Sequence, residues 1–268
     1  MTTLIMGVVN VTPDSFSDGG RYLDPEAAIT HGLSLRAAGA HLLDVGGEST
    51  RPGAQRVAPE LEQERVLPVV RALAEAGASV SIDTMHASTA RAAVDAGAVI
   101  VNDVSGGLAD PDMLAAVAET RADIVLCHWR GHSADMYARA RYDDVVADVR
   151  TELAERVAAA AAAGIAPSRV IVDPNFGFGK KGEQNWAVLR GLPKLVAMGP
   201  RVLVGTSRKK FLAEMLEETG VEPTQEGRDL ATAMTSLLAQ QAGVWGVRVH
   251  DVAVTRLALA VGERGGRP

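Results

Sequence analysis

Short apolar runs recur along the chain, and most of them give way to glycine or polar residues. The runs cover 4–9, 41–45, 79–83, 99–102, 123–128, 169–173, 202–205 and 246–249. Runs of this length, bounded by turn residues, predict buried strands. The segments between them carry apolar residues at helical spacing, as in the stripe Val145, Val149, Leu153 and Val157 before Gly164. Eight strands that alternate with helices over about 250 residues predict a closed (β/α)8 barrel of the TIM type.

A doubly wound open sheet is the alternative architecture. That fold commonly carries G-x-G-x-x-G at the start of a helix, and no such motif opens a helix in this sequence. The sequence around Gly179 and Lys180 also fails the P-loop pattern, because Pro174 takes the first glycine position and Lys181 the Ser/Thr position. No linker interrupts the alternation. We therefore predict one barrel domain over 1–262 and a flexible tail over 263–268.

The composition of the chain excludes some classes of protein function. The chain has 268 residues, of which 47% are hydrophobic and 22% charged, so it can bury a substantial core. A net charge of −6 argues against a nucleic-acid surface. The first apolar run has no preceding Lys or Arg, and no stretch approaches the roughly 20 apolar residues of a membrane span. One cysteine fits a reducing cytoplasm, although a secreted protein without disulfides would have the same composition. We predict a cytoplasmic protein without membrane or nucleic-acid partners, because no signal-peptide n-region precedes the first apolar run.

Polar side chains follow most of the predicted strands, at or near the point where each strand ends. In a barrel of this type the carboxyl ends of the strands form the active-site face, so these residues converge although they are far apart in sequence. Singly, such an Asp is as well explained as a helix cap, and an ion pair at the barrel rim is the structural alternative for such an Arg. Together they predict one pocket, ringed by Asn10, Asp44, Asp83, Asn102, Asp173, the tripeptide 207–209 and the tripeptide 248–250.

The pocket combines two kinds of chemistry. Its carboxylates and amides suit a flat heterocycle with adjacent N–H donors, because a carboxylate accepts two parallel N–H bonds. Arg51, Arg248 and His250 offer cations, and a helix expected after Lys209 offers free backbone N–H groups. These groups suit a phosphate or a carboxylate. The ring therefore predicts a ligand that is planar and neutral at one end and anionic at the other.

Seven motifs give the chain a resemblance to a known family. They are N-V-T-P-D-S-F-S-D-G-G at 10–20, D-V-G-G-E-S-T-R-P-G at 44–53, S-I-D-T at 81–84, N-D-V-S-G-G at 102–107, G-F-G-K at 177–180, S-R-K at 207–209 and R-V-H-D at 248–251. In this order, over nearly the whole chain, they resemble the dihydropteroate synthase family. The resemblance implies a folate-pathway transferase that joins 6-hydroxymethyl-7,8-dihydropterin pyrophosphate to p-aminobenzoate and releases pyrophosphate, assisted by Mg²⁺. Sulfonamides are then expected inhibitors, and a homodimer is the expected assembly.

The resemblance also implies a role for each matching residue. The residues implied for catalysis are Asp83, Arg248 and Lys209. Those implied for the pterin are Asp83, Asn102, Cys127, Asp173, Phe178 and Lys209. Those implied for pyrophosphate are Asn10, Thr50, Arg51, Arg248 and His250, with Asn10 also facing Mg²⁺. Those implied for p-aminobenzoate are Phe16, Thr50, Pro52, Ser207 and Lys209.

The chain departs from the common family pattern at two positions. Cys127 stands where a Met usually packs in the pterin pocket, and Asn175 stands where Gly often follows Asp-Pro. Cysteine is smaller than methionine, so the pocket floor is expected to be roomier. Asn tolerates left-handed turn conformations, so we expect the turn after Asp173 to keep its shape.

Two rival functions use the same barrel. A methyltetrahydrofolate-dependent corrinoid methyltransferase shares the architecture and the Asp/Asn clamp for a pterin. It would not need the tripeptide 207–209 as an anion site, nor the loops at 11–20 and 47–54. The second rival is a paralogue that binds a pterin or pyrophosphate without turnover, for which Cys127 is the one hint in the sequence.

Overall fold

Eight parallel strands close into a barrel in the order in which they occur along the chain. The computed structural model describes residues 2–12, 25–48, 56–131, 137 and 140–265. β1 pairs with β2 on one side and with β8 on the other, which closes the barrel. The prediction of a TIM-type (β/α)8 barrel is confirmed, and the open doubly wound sheet is excluded.

The strands lie within one or two residues of the predicted runs. Their bounds are β1 Leu4–Asn10, β2 Leu42–Gly46, β3 Val80–Asp83, β4 Ile100–Asp103, β5 Asp123–Cys127, β6 Val170–Asp173, β7 Arg201–Val204 and β8 Gly246–Val249. The helices among the described residues are α1 Pro25–Ala38, α2 Pro59–Glu75, α3 Ala87–Asp95, α4 Met113–Ala118, α5 Val145–Ala162, α6 Gly182–Arg190, α7 Leu192–Val196, α8 Lys210–Glu218, α9 Gln225–Gln241 and α10 Val252–Gly265. A short 3₁₀ turn at Pro167–Arg169 precedes β6.

The alternation of side chains along each strand positions the site. Side chains two apart on a strand share a face, so each strand sends every second residue into the barrel. Near the middle of the barrel these residues form an apolar cluster of Met6, Leu42, Ile100, Val125, Cys127, Ile171 and Leu203. Two residues further along, β2, β4 and β6 carry Asp44, Asn102 and Asp173 on the same face. The barrel interior thus changes from apolar to polar toward its carboxyl end.

Helix ends follow local capping rules, with one correction. Asp144 caps α5 by accepting hydrogen bonds from the backbone of Val146 and Ala147. The dipeptide Asp110-Pro111 is typical of a helix cap followed by the first helical residue and so predicts a helix from Pro111, but α4 begins at Met113. The Asp110 carboxylate instead accepts the backbone N–H of Ala87, the first residue of α3, at 2.8 Å. Packing between neighbouring helices therefore decides which terminus this carboxylate caps.

The last helix extends into the segment predicted to be a flexible tail. α10 continues to Gly265, so residues 263–265, which the sequence places in the tail, are helical. Among the described helices, none combines the length and the apolar character needed to cross a membrane.

Candidate active site

Arg248 at the end of β8 joins two carboxylates across the mouth of the barrel. Its Nε donates to Asp44 Oδ2 at 2.6 Å, and its Nη2 donates to Asp83 Oδ2 at 2.8 Å. Burial disfavours the charged guanidinium, but the two carboxylates outweigh that effect and raise the pKa of Arg248. The residue is therefore a fixed cation between β2 and β3.

Asn102 extends this network toward β5. Its Nδ2 donates to Asp44 Oδ2 at 3.0 Å, and its Oδ1 lies 3.7 Å from Cys127 Sγ, a weak donor. Burial raises the pKa of the Cys127 thiol well above its ordinary value. Cys127 is therefore a neutral packing residue in the pocket wall.

Asp173 ends β6 on the same face of the barrel. Its Oδ1 accepts the backbone N–H of Asn175 at 2.6 Å. Asn175 has a φ of +56°, and its Nδ2 donates to the carbonyl of His128 at 3.1 Å. The expectation that Asn can hold this turn is confirmed, because the amide replaces the conformational freedom of glycine with a side-chain hydrogen bond.

Lys209 and Phe178 lie together beside Asp173. The Lys209 ammonium stands 4.0 Å from the centroid of the Phe178 ring, a cation–π contact. A side chain at Gly177 would meet Lys209, since an added Cβ would lie 3.0 Å from its Cδ. Gly177, the first glycine of G-F-G-K, therefore leaves space for Lys209, which follows β7.

Ser207 and His250 form a pair where β7 and β8 end. Ser207 Oγ and His250 Nδ1 are 2.8 Å apart, and the His250 backbone N–H donates to the same hydroxyl at 3.1 Å. Burial lowers the pKa of His250 to about 3, and neighbouring cations such as Arg208 add to the effect. The sequence counted His250 as a cation, and this was wrong: at neutral pH it is an uncharged hydrogen-bonding group.

Arg208 does not point to the same network as its neighbours. It has a φ of +58° and forms a two-pronged ion pair with Asp229 of α9, at 2.8 and 2.9 Å. This pair holds the turn between Ser207 and Lys209 in place. α8 then begins at Lys210, as expected from the predicted helix start.

Burial shifts the ionisation of the acids and of the lysine at the barrel mouth. It raises the pKa of Asp83 to about 7, against the opposing effect of Arg248. It raises the pKa of Asp173 to about 6, against the hydrogen bond from Asn175 and nearby cations. It lowers the pKa of Lys209 to about 8. Perturbed acids and bases grouped in one pocket are typical of functional sites.

Asn10 ends β1 and is half-buried at the mouth. In the strand register it pairs with Gly46, which pairs in turn with Asp83. Its amide oxygen is a hard ligand of the kind that Mg²⁺ accepts. Mg²⁺ is commonly held by one or two protein oxygens together with substrate phosphates and water. The residues present therefore fit a magnesium ion bound with a phosphorylated substrate.

Four of the predicted site residues lie outside the described residues. They are Phe16 in the loop after β1 and Thr50, Arg51 and Pro52 in the loop after β2. The structure places the other predicted site residues at the carboxyl end of the barrel. They are Asn10, Asp83, Asn102, Cys127, Asp173, Phe178, Ser207, Lys209, Arg248 and His250.

The sequence missed a buried acid that supports the site from outside the barrel. Glu62 of α2 is fully buried, and its Oε2 accepts from Thr84 Oγ1 at 2.7 Å and lies 3.0 Å from His86 Nδ1. Thr84 directly follows Asp83, and His86 lies three positions after it. A signal was present, because Glu62 falls on the same helix face as Val66, which is itself fully buried.

A second missed group lies beneath the turn after β6. Lys180 is buried, and its ammonium group contacts His128 Nδ1 at 3.0 Å and the carbonyls of Asn175 and Phe178 at 3.2 and 3.1 Å. Burial lowers the pKa of Lys180 to about 7. Lys180, the lysine of G-F-G-K, therefore stabilises the turn after β6 by donating hydrogen bonds to its backbone carbonyls.

Comparison with known proteins places this geometry in a family. The sequence model of a family described as "Pterin binding enzyme" matches residues 6–250. The dihydropteroate synthase of Mycobacterium leprae is 53% identical over 259 residues, which cover 96% of this chain and 91% of that protein.

Two solved structures are similar over nearly their full length. A Xanthomonas albilineans dihydropteroate synthase with 4-aminobenzoic acid superposes with a TM-score of 0.90 at 46% identity, covering 99% of this chain and 94% of that one. A Yersinia pestis dihydropteroate synthase in complex with a sulfonamide drug gives a TM-score of 0.92 at 36% identity, with the same coverage. The chain belongs to the pterin-binding enzyme family and, within it, to the dihydropteroate synthases, which are transferases of the folate pathway.

Proposed function

We propose that this chain condenses 6-hydroxymethyl-7,8-dihydropterin pyrophosphate with p-aminobenzoate, forming 7,8-dihydropteroate and pyrophosphate. The observation that carries the proposal is the hydrogen-bonded set around Arg248, in which Asp44, Asp83 and Asn102 meet at the barrel mouth. It combines acceptors for a heterocycle edge with a fixed cation for an anion. The 4-aminobenzoic acid bound by the Xanthomonas relative supports the second substrate.

The pterin is held by the acceptors on β3, β4 and β6. Asp173 accepts the amino and ring N–H groups, because its Oδ2 is not used by the Asn175 backbone bond. Asn102 presents its Oδ1 to the ring, and Cys127 packs below it. Phe178 and Lys209 close the side of the pocket toward β7.

The pyrophosphate lies on the opposite side, toward β8 and β1. Arg248 supplies the charge, and neutral His250 donates a hydrogen bond to a phosphate oxygen. Thr50 and Arg51, which lie outside the described residues, are proposed to add contacts from the loop after β2. Asn10 would hold Mg²⁺, and the chemistry that a bound Mg²⁺ supplies is positive charge beside the departing pyrophosphate oxygens.

Bond cleavage precedes bond formation in the path we propose. Departure of pyrophosphate leaves a methylene cation that is delocalised over the electron-rich pterin. Ionised Asp83 stabilises this cation, while Arg248 stabilises the departing anion. The amine of p-aminobenzoate is uncharged near neutral pH, so it attacks the methylene directly and then loses one proton to solvent. No activated Ser or Cys is required.

p-Aminobenzoate is proposed to enter beside Ser207, Lys209, Phe16, Thr50 and Pro52. The ammonium of Lys209 suits its carboxylate. Ser207 lines this place without donating to the carboxylate, because its O–H is donated to His250 Nδ1 when that ring carries its proton on Nε2. Sulfonamides carry an aryl amine opposite an acidic group, so they are expected to occupy the same place, as the drug complex of the Yersinia relative suggests.

The test is a pyrophosphate-release assay preceded by calorimetry with each substrate. Binding of the pterin pyrophosphate, followed by release that requires p-aminobenzoate, supports the synthase. Binding without release would identify a non-catalytic paralogue. Release of no pyrophosphate combined with methyl transfer from a methylated pterin would favour the corrinoid methyltransferase class.

We also infer that the chain forms a homodimer through α9 and α10. These helices pack side by side and carry Leu230, Met234, Leu238, Leu257 and Val261, all of which are at least half exposed. The first three repeat every four residues on α9, and the last two are four residues apart on α10, so each helix carries an apolar stripe. A two-fold axis places the same patch of both subunits in contact, so a second copy of the chain can cover these stripes. A cytoplasmic location stays a prediction.

A further inference from the structure

Asp44 is the most deeply buried acid of the site, and no substrate contact has been given to it. Its side chain is 0% exposed. One of its oxygens, Oδ2, accepts from both Arg248 Nε and Asn102 Nδ2. The other, Oδ1, has no hydrogen-bond partner among the described residues.

This arrangement determines which way the Asn102 amide faces. A buried carboxylate can only accept, so Asn102 must turn its NH₂ group toward Asp44. The carbonyl oxygen then faces the pocket, where the described residues offer it only the weak donor Cys127 Sγ. The pocket therefore presents an acceptor from β4, which selects a ligand with an N–H donor at that edge.

The same oxygen also sets the direction of Arg248. With Nε held by Asp44, the guanidinium plane points Nη2 at Asp83. Asp44 thus orients one residue assigned to the pterin and one assigned to the pyrophosphate.

We propose that Asp44 is a positioning residue of the reaction, which fixes the amide orientation of Asn102 and the guanidinium of Arg248 and so makes the pocket specific for an N–H-bearing heterocycle. The proposal rests on the function proposed above and deepens it. It assigns to β2 a share in substrate selection that no contact with substrate would reveal.

Two substitutions separate the position of the acceptor from its charge. Asp44→Asn can keep both hydrogen bonds, because only one oxygen is used and the new NH₂ takes the place of the unpartnered Oδ1. Asp44→Leu has a similar volume and removes the acceptor. Ser81→Ala is a matched control, since Ser81 pairs with Asp44 in the strand register, is equally buried, and has an unpartnered hydroxyl.

The primary readout is the affinity for 6-hydroxymethyl-7,8-dihydropterin pyrophosphate, measured by calorimetry. We expect Asp44→Leu to weaken binding by about 30-fold or more, because two hydrogen-bonded groups lose their buried partner. Asp44→Asn and Ser81→Ala should stay within about threefold of the unsubstituted protein, and the KM for p-aminobenzoate should stay within about twofold in all three. An Asp44→Leu protein with unchanged pterin affinity would overturn the proposal.

The pH profile gives a readout that holds even if Asp44→Leu fails to fold. The charged groups around Asp83 are Arg248 on β8, Asp44 on β2, Glu62 on α2 and Lys209 after β7, and Asp44 is one of those that raise its pKa. Asp44→Asn should therefore move the acid limb of kcat/KM to lower pH while pterin affinity is retained. An unmoved limb, or an affinity as poor as that of Asp44→Leu, contradicts the assignment. Absence of pyrophosphate release by the unsubstituted protein would instead contradict the proposed function itself.

Discussion

Among the single residues of the site, Asp83 is the one proposed to stabilise the positive charge that develops on the pterin. It is held by Arg248 Nη2 through one oxygen, and it faces the place where positive charge develops in the proposed path. Asp83→Asn preserves the shape and an acceptor but removes the charge. Turnover should fall by about 10²-fold or more, measured as steady-state pyrophosphate release.

A matched control guards against a general effect of losing one acid. Asp112→Asn alters an exposed aspartate just before α4 and should leave turnover unchanged. Near-native turnover in a folded Asp83→Asn protein would refute the role given to Asp83.

The pH dependence follows from the same residue. The ionised form is required, and burial raises the pKa of Asp83 to about 7 and that of Asp173 to about 6. The value of kcat/KM should therefore fall as the pH is lowered through 7 and 6. It should also fall above about pH 8, where the Lys209 ammonium, whose pKa burial lowers to about 8, loses its proton. A kcat/KM profile between pH 5 and 9 checks this. A flat profile would show that neither carboxylate has to be ionised.

Cys127 is expected to matter by its size alone. Its thiol is buried and its pKa is raised, so it is a poor nucleophile. Cys127→Met should leave the enzyme active and change the KM for the pterin by less than about tenfold. Complete loss of activity would mark the thiol as functional, and alkylation of the unsubstituted protein would then locate that function.

Among the structural elements, the turn after β6 determines how Asp173 is oriented in the site. Asn175 combines a left-handed backbone with a side-chain bond to His128, and its N–H orients Asp173. Asn175→Ala loses the side-chain bond and keeps a Cβ at a positive φ that Ala tolerates less well than Asn. We expect it to lower the free energy of unfolding by about 2–4 kcal/mol, measured by urea denaturation.

Asn175→Gly separates the two causes. It removes the same side-chain bond but has no Cβ penalty, so its loss should be about 1 kcal/mol smaller. Equal losses in the two variants would show that the positive φ contributes nothing.

The strands and their polar ends could be predicted because they depend on local patterning. Each run of β-branched and aliphatic residues stops where a carboxylate, amide or glycine begins, as at Asp83 and Asn102. What could not be predicted depends on contacts between elements. His250 is neutral because it is buried against Ser207. Asp110 caps α3 because neighbouring helices pack together. Glu62 supports the site from a helix outside the barrel.

At the scale of the whole molecule, the closed barrel makes distant residues neighbours. Asp44 and Arg248 are 204 positions apart and share a hydrogen bond of 2.6 Å. Closure between β1 and β8 brings them together, so the site exists only when the whole barrel has formed.

The proposed dimer is tested on the outer face. Leu257→Lys places a charge in the apolar stripe at a side chain that is 68% exposed, so the protomer fold should survive. We expect sedimentation to change from twice the chain mass to the chain mass. Leu61→Lys, at an exposed position on α2, is the control and should remain dimeric. An unsubstituted protein that sediments as a monomer would contradict the inferred interface.

The proposed reaction joins a pterin to an aryl amine at the barrel mouth. The most direct test incubates the purified protein with Mg²⁺, 6-hydroxymethyl-7,8-dihydropterin pyrophosphate and p-aminobenzoate, and quantifies products by mass spectrometry, with each substrate omitted in turn. We expect 7,8-dihydropteroate and pyrophosphate in equal amounts, and neither product when a substrate is missing. Pyrophosphate release without dihydropteroate in the complete mixture, or no product at all, would contradict it.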